Sequence, residues 1–181
     1  VNFSKNQYLN LLKKQKLKKI IITHSSSNSD IEIIMGLNES KLKDSHSIIS
    51  SSICDANAIS HIVKFIDDNY EINTGNITTL HPWLSYQNLV DGSSLSVSNP
   101  SLIWDDFALG RASANNIIPK NTTAVKAIEK VLPKIKNKLS SFSYRTPTDI
   151  VCSADLTFFL KKKIALSSFK KKIINQFSNS K

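Results

Sequence analysis

Apolar residues recur with helical or strand periodicity along most of the chain. Spacings of three and four residues predict helices over 4–17, 54–69, 122–139 and 167–177. Short β-branched or alternating runs predict strands over 19–23, 31–37, 48–52, 76–80, 141–145 and 150–160. The resulting order, α-β-β-β-α-β-loop-α-β-β-α, predicts an α+β fold with a mixed, largely antiparallel sheet and helices on one face.

The periodicity is lost between Trp83 and Pro119, and a serine-rich stretch (93–99) lies inside this segment. A loop of this length in a compact domain is usually functional or disordered. The 83–119 loop, with Trp83 and Trp104, is therefore interpreted as a surface for protein–protein assembly or as part of a ligand site.

The composition describes an ordinary globular protein. Of 181 residues, 40% are hydrophobic and 21% are charged, and no apolar run approaches the ~20 residues that span a bilayer. The first residues enter a lysine-rich amphipathic stretch rather than a signal peptide, which favours a cytoplasmic location. Two cysteines, Cys54 and Cys152, provide neither a disulfide framework nor a metal-ligand cluster.

The formal net charge of +10 raises the question of nucleic-acid binding. All but two of the 24 basic residues are lysines, and many of them cluster over 13–19 and 161–172, as on solvated helix faces. No RNA-binding signature, zinc finger or basic groove with interleaved aromatic residues accompanies them. Nucleic acid is therefore not an expected partner.

A candidate nucleophile lies at Cys54, where the serines at 50–52 give way to a helical pattern. A thiol at a helix N-terminus gains acidity, because the unpaired N–H groups and the helix dipole favour the thiolate. His81, at the end of a predicted strand, is the candidate base. Cys152 lies inside the predicted strand 150–160 and is expected to be a structural core residue.

Further motifs follow Cys54 in a fixed order. They are Thr-Thr-Leu-His at 78–81, Gly-Arg-Ala-Ser-Ala-Asn-Asn-Ile-Ile-Pro at 110–119, Thr-Thr-Ala-Val-Lys-Ala at 122–127 and Tyr-Arg-Thr-Pro-Thr at 144–148. This series resembles the catalytic domain of the glyceraldehyde-3-phosphate dehydrogenase family of glycolysis. That family shows Ser-Cys-Thr-Thr-Asn-Cys, Thr-Thr-(Val/Leu)-His, an Arg-Ala-Ala loop ending in Asn-Ile-Ile-Pro, Ser-Thr-Gly-Ala-Ala-Lys-Ala and Arg-Val-Pro-Thr.

The resemblance implies that Cys54 adds to an aldehyde carbonyl and that His81 is the base. Hydride would pass to a nicotinamide, and phosphate would attack the resulting thioester. Thr122 and Arg145 match residues around the two phosphate sites, and Arg111 is assigned to substrate or phosphate binding. A guanidinium suits this role because it can hold two phosphate oxygens at once. The alternative for Arg145 is an ion pair with an aspartate, at 149 or 155.

Several positions depart from the family pattern. Ile53 and Asp55 replace the serine and threonine that flank the cysteine, Leu84 and Tyr86 replace two threonines after the histidine, and Thr123 replaces a glycine. At ~4 Å and an effective dielectric of ~20, a carboxylate repels each phosphate charge by about 4 kcal/mol. The phosphate-binding surroundings of the Cys/His pair are therefore expected to be largely lost.

The four glycines form no Gly-x-Gly-x-x-Gly fingerprint. The resemblance thus implies one catalytic-type domain over 1–181, without the family's N-terminal Rossmann domain, its last strands or its last helix. NAD or NADP would bind only if a Rossmann domain were supplied outside this chain. Two hypotheses follow: a divergent dehydrogenase that oxidises a (phosphorylated) aldehyde, or an inactive family member that serves as a structural or assembly subunit in an oligomer.

Overall fold

The computed structural model describes residues 3–93 and 107–178. The chain divides into two compact units. The first comprises Val1–Thr74, Ala124–Lys138 and Phe158–Lys181, and the second comprises Gly75–Thr123 and Leu139–Thr157. Among the helices in these described ranges, none combines the length and the apolar character needed to cross a membrane.

A three-stranded parallel sheet lies in the first unit. Its strands are β1 (Ile20–Ile22), β2 (Ile31–Glu32) and β3 (Ile48–Ser50), in the order β1-β3-β2. Every residue of the central strand β3 is buried. A parallel strand that is covered on both faces needs no alternation of polar and apolar residues, which explains why β3 reads as a short continuous buried run.

Five α-helices are described: α1 (Lys5–Lys14), α2 (Cys54–Tyr70), α3 (Phe107–Gly110), α4 (Ala124–Val131) and α5 (Leu166–Ser178). Helix α1 begins at a capping box, in which the side chains of Ser4 and Gln7 each accept a backbone N–H of the other residue. In the first unit, α2 packs against α4. The ring of Phe65 on α2 also lies 6.1 Å from Phe169 and 6.0 Å from Phe177 on α5, measured between centroids.

The second sheet has four strands: β4 (Ile72–Pro82), β5 (Ile118–Lys120), β6 (Leu139–Thr146) and β7 (Ser153–Leu160), in the order β5-β6-β4-β7. Strand β4 pairs with β6 in parallel, and β5 pairs with β6 antiparallel, so the sheet is mixed. In this register His81 lies opposite Arg145, and Arg145 lies opposite Ile118 on the other side of β6.

The predicted α+β class with a mixed sheet is confirmed, and a separate parallel sheet adds to it. The strand predicted over 31–37 is shortened to β2. The Asn38 side chain accepts a hydrogen bond from the N–H of Ile34 and donates one to the carbonyl of Glu32, both at 2.9 Å. These backbone groups are therefore bonded to a side chain and not to a neighbouring strand. The helix predicted over 122–139 ends at Val131, because Pro133 disfavours helical geometry in the residue before it.

Asp30 connects α1 to the start of β3. Burial raises the pKa of its carboxyl, but three hydrogen bonds lower this pKa by more. The donors are the Lys5 ammonium and the backbone N–H groups of Ile48 and Ser47, each 2.9 Å from a carboxylate oxygen. The net effect holds the pKa of Asp30 below its ordinary value of 3.8. A carboxylate whose pKa is lower in the folded than in the unfolded chain stabilises the fold at pH values above the unfolded-state pKa. This contribution is lost as the pH falls through the folded-state pKa.

Asp30→Asn is therefore expected to lower the free energy of unfolding at neutral pH. As the pH falls, the free energy of unfolding should decrease less steeply in this variant than in the wild-type chain. Urea unfolding followed across the acidic range measures both effects. Asp44→Asn, at an exposed carboxylate, is the matched control and should reproduce the wild-type profile. Identical acid profiles for all three proteins would contradict the role assigned to Asp30.

Candidate functional site

Cys54 is the first residue of α2, as the sequence predicted, and its thiol is exposed. The preceding Ile53 has extended backbone angles (φ −117°, ψ 163°) and contributes no side-chain cap. Asn57 ties the incoming loop to the first turn, because its Nδ2 donates to the carbonyl oxygens of Ser51 and Ile53, both at 2.9 Å. The N-terminal end of the α2 dipole favours a negative charge at Cys54.

Asp55 opposes that stabilisation. Its side chain is buried, and its Oδ1 accepts a hydrogen bond from the Cys54 Sγ at 3.8 Å. A carboxylate at an N-terminal helix position is itself favoured by the dipole. Its negative charge nevertheless disfavours a second negative charge on the neighbouring sulfur. The helix terminus thus favours a negative charge on the Cys54 sulfur, and Asp55 disfavours it.

A buried carboxylate, Glu32, holds the loop that leads to Cys54. It accepts hydrogen bonds from Ser52 Oγ at 2.5 Å and Ser25 Oγ at 2.8 Å, and it pairs with Lys130 Nζ at 3.1 Å. Ser52 has a positive φ of 64°, a conformation that costs energy in a residue other than glycine. The hydrogen bond from Ser52 to Glu32 stabilises this conformation two residues before Cys54. Sequence reasoning missed Glu32, because Ser52 and Lys130 lie 20 and 98 residues away along the chain.

His81 and Arg145 lie side by side on adjacent strands of the second unit. The Arg145 Nη1 donates to the Pro82 carbonyl at 3.0 Å, and Thr146 Oγ1 donates to the His81 carbonyl at 3.1 Å. These bonds fix the end of β4 against β6. Within the described residues, Arg145 forms no ion pair with the aspartates at 149 or 155 that the sequence offered as alternatives.

Arg111 is paired with an acid. Its Nη2 lies 3.2 Å from Asp91 Oδ2, and both side chains are about half exposed. Asp91 is held in turn by the backbone N–H of Ala112, 2.7 Å from Oδ1. Arg111 also borders an open cleft of about 300 Å³ that is lined by residues 116–119. Thr122, also in the second unit, is half-buried and lies two residues before α4.

Cys152 is not the core residue that the sequence predicted. It lies just before β7, is exposed, and its Sγ lies 3.2 Å from the His81 Nδ1. The prediction was wrong because the strand begins at Ser153, and the residues before it, Ile150 and Val151, are themselves exposed. No spacing in the sequence signals this contact, since 71 residues separate the two partners.

Cys54 belongs to the first unit, whereas His81, Arg145, Arg111 and Thr122 belong to the second. The pairing of Cys54 with His81 therefore stays a prediction. In the part of the chain that the structure describes, no group of three potential metal ligands is brought together. Trp104 and most of the serine-rich stretch lie outside the described residues, so the assembly surface predicted there stays a prediction as well.

Comparisons with known proteins agree with the motif order. Residues 53–180 match the family model of the glyceraldehyde 3-phosphate dehydrogenase C-terminal domain. The chain is 35% identical to glyceraldehyde-3-phosphate dehydrogenase of Schistosoma mansoni over 88% of its own length and 44% of that protein. It is 36% identical to glyceraldehyde-3-phosphate dehydrogenase 2 of Saccharomyces cerevisiae over 85% of its own length and 43% of that protein. The cytosolic enzyme of Sinapis alba gives 36% identity, with 86% and 43% covered. The chain thus spans less than half the length of the curated relatives it matches.

The Glu32 network generates a stability prediction. Glu32→Ala should lower the free energy of unfolding by about 3 kcal/mol, because it removes a buried acceptor and leaves Ser52 and Lys130 without it. Urea unfolding measures the change. Glu39→Ala, at an exposed acid, serves as the control and should stay within about 0.5 kcal/mol of the wild-type chain. Equal effects of the two substitutions would show that the buried network contributes little.

Proposed function

The chain belongs to the glyceraldehyde 3-phosphate dehydrogenase family, an oxidoreductase family of glycolysis, and we propose that it supplies the aldehyde-binding half of such an enzyme. In this proposal Cys54 is the nucleophile and His81 is its base. The observation that carries the proposal is the exposed thiol of Cys54 at the first position of α2. The ordered motifs that surround it in the sequence support the same assignment.

The chemistry begins with transfer of the Cys54 thiol proton to His81. The sulfur then bonds to the carbonyl carbon of the aldehyde, and the carbonyl oxygen takes up the proton. The product is a hemithioacetal, poised for oxidation to a thioester. The α2 dipole favours the thiolate that starts this sequence, whereas Asp55 opposes it.

Arg145, Thr122 and Arg111 are proposed to bind anionic oxygens of the substrate. The guanidinium of Arg145 is already held at the end of β4 by the Pro82 carbonyl, so little of its side-chain freedom would be lost on binding. Arg111 would have to exchange Asp91 for the ligand. Of the two arginines, Arg145 is therefore expected to contribute more to affinity.

We propose that the dinucleotide of such an enzyme is held outside the described residues. After β1 the chain continues into the serine-rich turn 25–29 rather than into a glycine-rich turn and a helix. Oxidation of the hemithioacetal requires a hydride acceptor, and NAD or NADP would have to be held by residues outside those described. The 83–119 segment is the proposed contact surface for such a partner or for further copies of the chain.

A second candidate function is that of an inactive assembly subunit. Asp55, buried 3.8 Å from the Cys54 sulfur, favours it, because this carboxylate opposes both the thiolate and a phosphate docking beside it. Leu84 favours the same candidate, since its side chain has no hydroxyl to donate to a phosphate. The two candidates differ in whether Cys54 reacts with an aldehyde.

Carbon-13 NMR distinguishes the candidates directly. The Cys152→Ser chain retains Cys54 as its sole thiol, because the sequence has two cysteines. Addition of carbonyl-labelled glyceraldehyde 3-phosphate should produce a hemithioacetal resonance that is absent from the Cys54→Ser, Cys152→Ser chain. If this resonance does not appear in the folded Cys152→Ser protein, the catalytic proposal fails and the assembly role is favoured.

Asp55→Asn in the Cys152→Ser background should accelerate alkylation of Cys54 by iodoacetamide about tenfold near neutral pH, because a negative charge beside the sulfur is removed. Mass spectrometry of quenched samples gives the rate. Asp68→Asn, at an exposed carboxylate on the same helix, is the control and should leave the rate unchanged. Equal rates for all three proteins would contradict the opposition assigned to Asp55.

A further inference from the structure

Cys152 and His81 form a nucleophile–base pair within the second unit. The Cys152 Sγ lies 3.2 Å from the His81 Nδ1, close enough for the imidazole to accept the thiol proton. Cys152 is exposed, so an electrophile can reach the sulfur. Both residues of the pair belong to the second unit, whereas Cys54 belongs to the first.

The sheet topology accounts for the pairing. Strands β6 and β7 flank β4, so the connection between them must pass the end of β4 that carries His81. Val151 in this connection has a positive φ of 64° although its side chain is β-branched and exposed. Such a conformation costs of order 1–3 kcal/mol and requires support from its surroundings. The strained turn ends at Cys152, which contacts the His81 ring.

The neighbouring strand β6 holds the backbone of the residue that supplies the base. Thr146 Oγ1 donates to the His81 carbonyl at 3.1 Å, and the Arg145 guanidinium donates to the carbonyl of the next residue, Pro82, at 3.0 Å. A nucleophile and a base within hydrogen-bond reach of it are two components of an activated nucleophile. The nearby cationic side chain of Arg145 favours an electrophile that carries an anionic group.

We propose that Cys152 is a second nucleophile of this chain, which with His81 adds to small aldehydes that bear an anionic group. The His81 Nδ1 accepts the thiol proton as the sulfur bonds to the carbonyl carbon. The π electrons of the carbonyl move to its oxygen, which takes the proton back from the imidazolium. The product is a hemithioacetal, with no net oxidation, and the reaction does not depend on the reactivity of Cys54.

Single-thiol chains test the pair without interference from Cys54. In Cys54→Ser, iodoacetamide should alkylate Cys152 at least about tenfold faster than in Cys54→Ser, His81→Asn, because the base is removed in the second protein. The control is Cys54→Ser, His61→Asn, which removes a histidine of similar burial from the first unit and should match Cys54→Ser. Circular dichroism establishes that each variant is folded.

Aldehyde addition is measured with His81 intact. Carbonyl-labelled glyceraldehyde 3-phosphate should give a hemithioacetal carbon-13 resonance in Cys54→Ser that is lost in Cys54→Ser, Cys152→Ser. Neutral glyceraldehyde should give a smaller signal, and Arg145→Gln should abolish that preference. Absence of the resonance in folded Cys54→Ser, or equal alkylation with and without His81, would overturn the proposal. The Cys152→Ser chain reports on Cys54 separately, so failure here is distinguishable from failure of the proposed function.

Discussion

The parallel register between β4 and β6 is the constraint on which the second unit depends. It sets His81 opposite Arg145 and allows the hydrogen bonds from β6 to the carbonyls of His81 and Pro82. A slip of one residue would move His81 to the other face of the sheet and break both bonds. On the other side of β4 lies β7, and the segment just before β7 places the Cys152 Sγ 3.2 Å from the His81 Nδ1.

Two buried carboxylates shape the surroundings of Cys54 in the first unit. Glu32 acts through structure, since it anchors Ser52 in a conformation that serine rarely adopts and so fixes the approach to α2. Asp55 acts through charge, since it accepts the thiol proton in a hydrogen bond and disfavours the thiolate. The N-terminus of α2 favours a negative charge at Cys54, whereas the neighbouring carboxylate of Asp55 disfavours it.

The position of Cys152 affects which cysteine is paired with the candidate base. The resemblance to the family assigns His81 to Cys54. The structure places a different thiol, that of Cys152, against the His81 ring at 3.2 Å. A loss of thiol labelling on substitution of His81 therefore does not by itself identify Cys54 as the activated residue. Site-resolved chemistry on single-thiol chains is required to assign the base to either cysteine.

The sequence by itself determined the features that depend on neighbouring residues. Helical spacing placed Cys54 at the start of α2 and predicted helices that begin within two residues of α1 and α4. The ordered motifs identified the family. The contacts of Glu32 with Lys130 and of Cys152 with His81 were decided only by the tertiary structure. Each joins residues about 70 or more positions apart, and strand order and helix packing, which no local pattern specifies, bring them together.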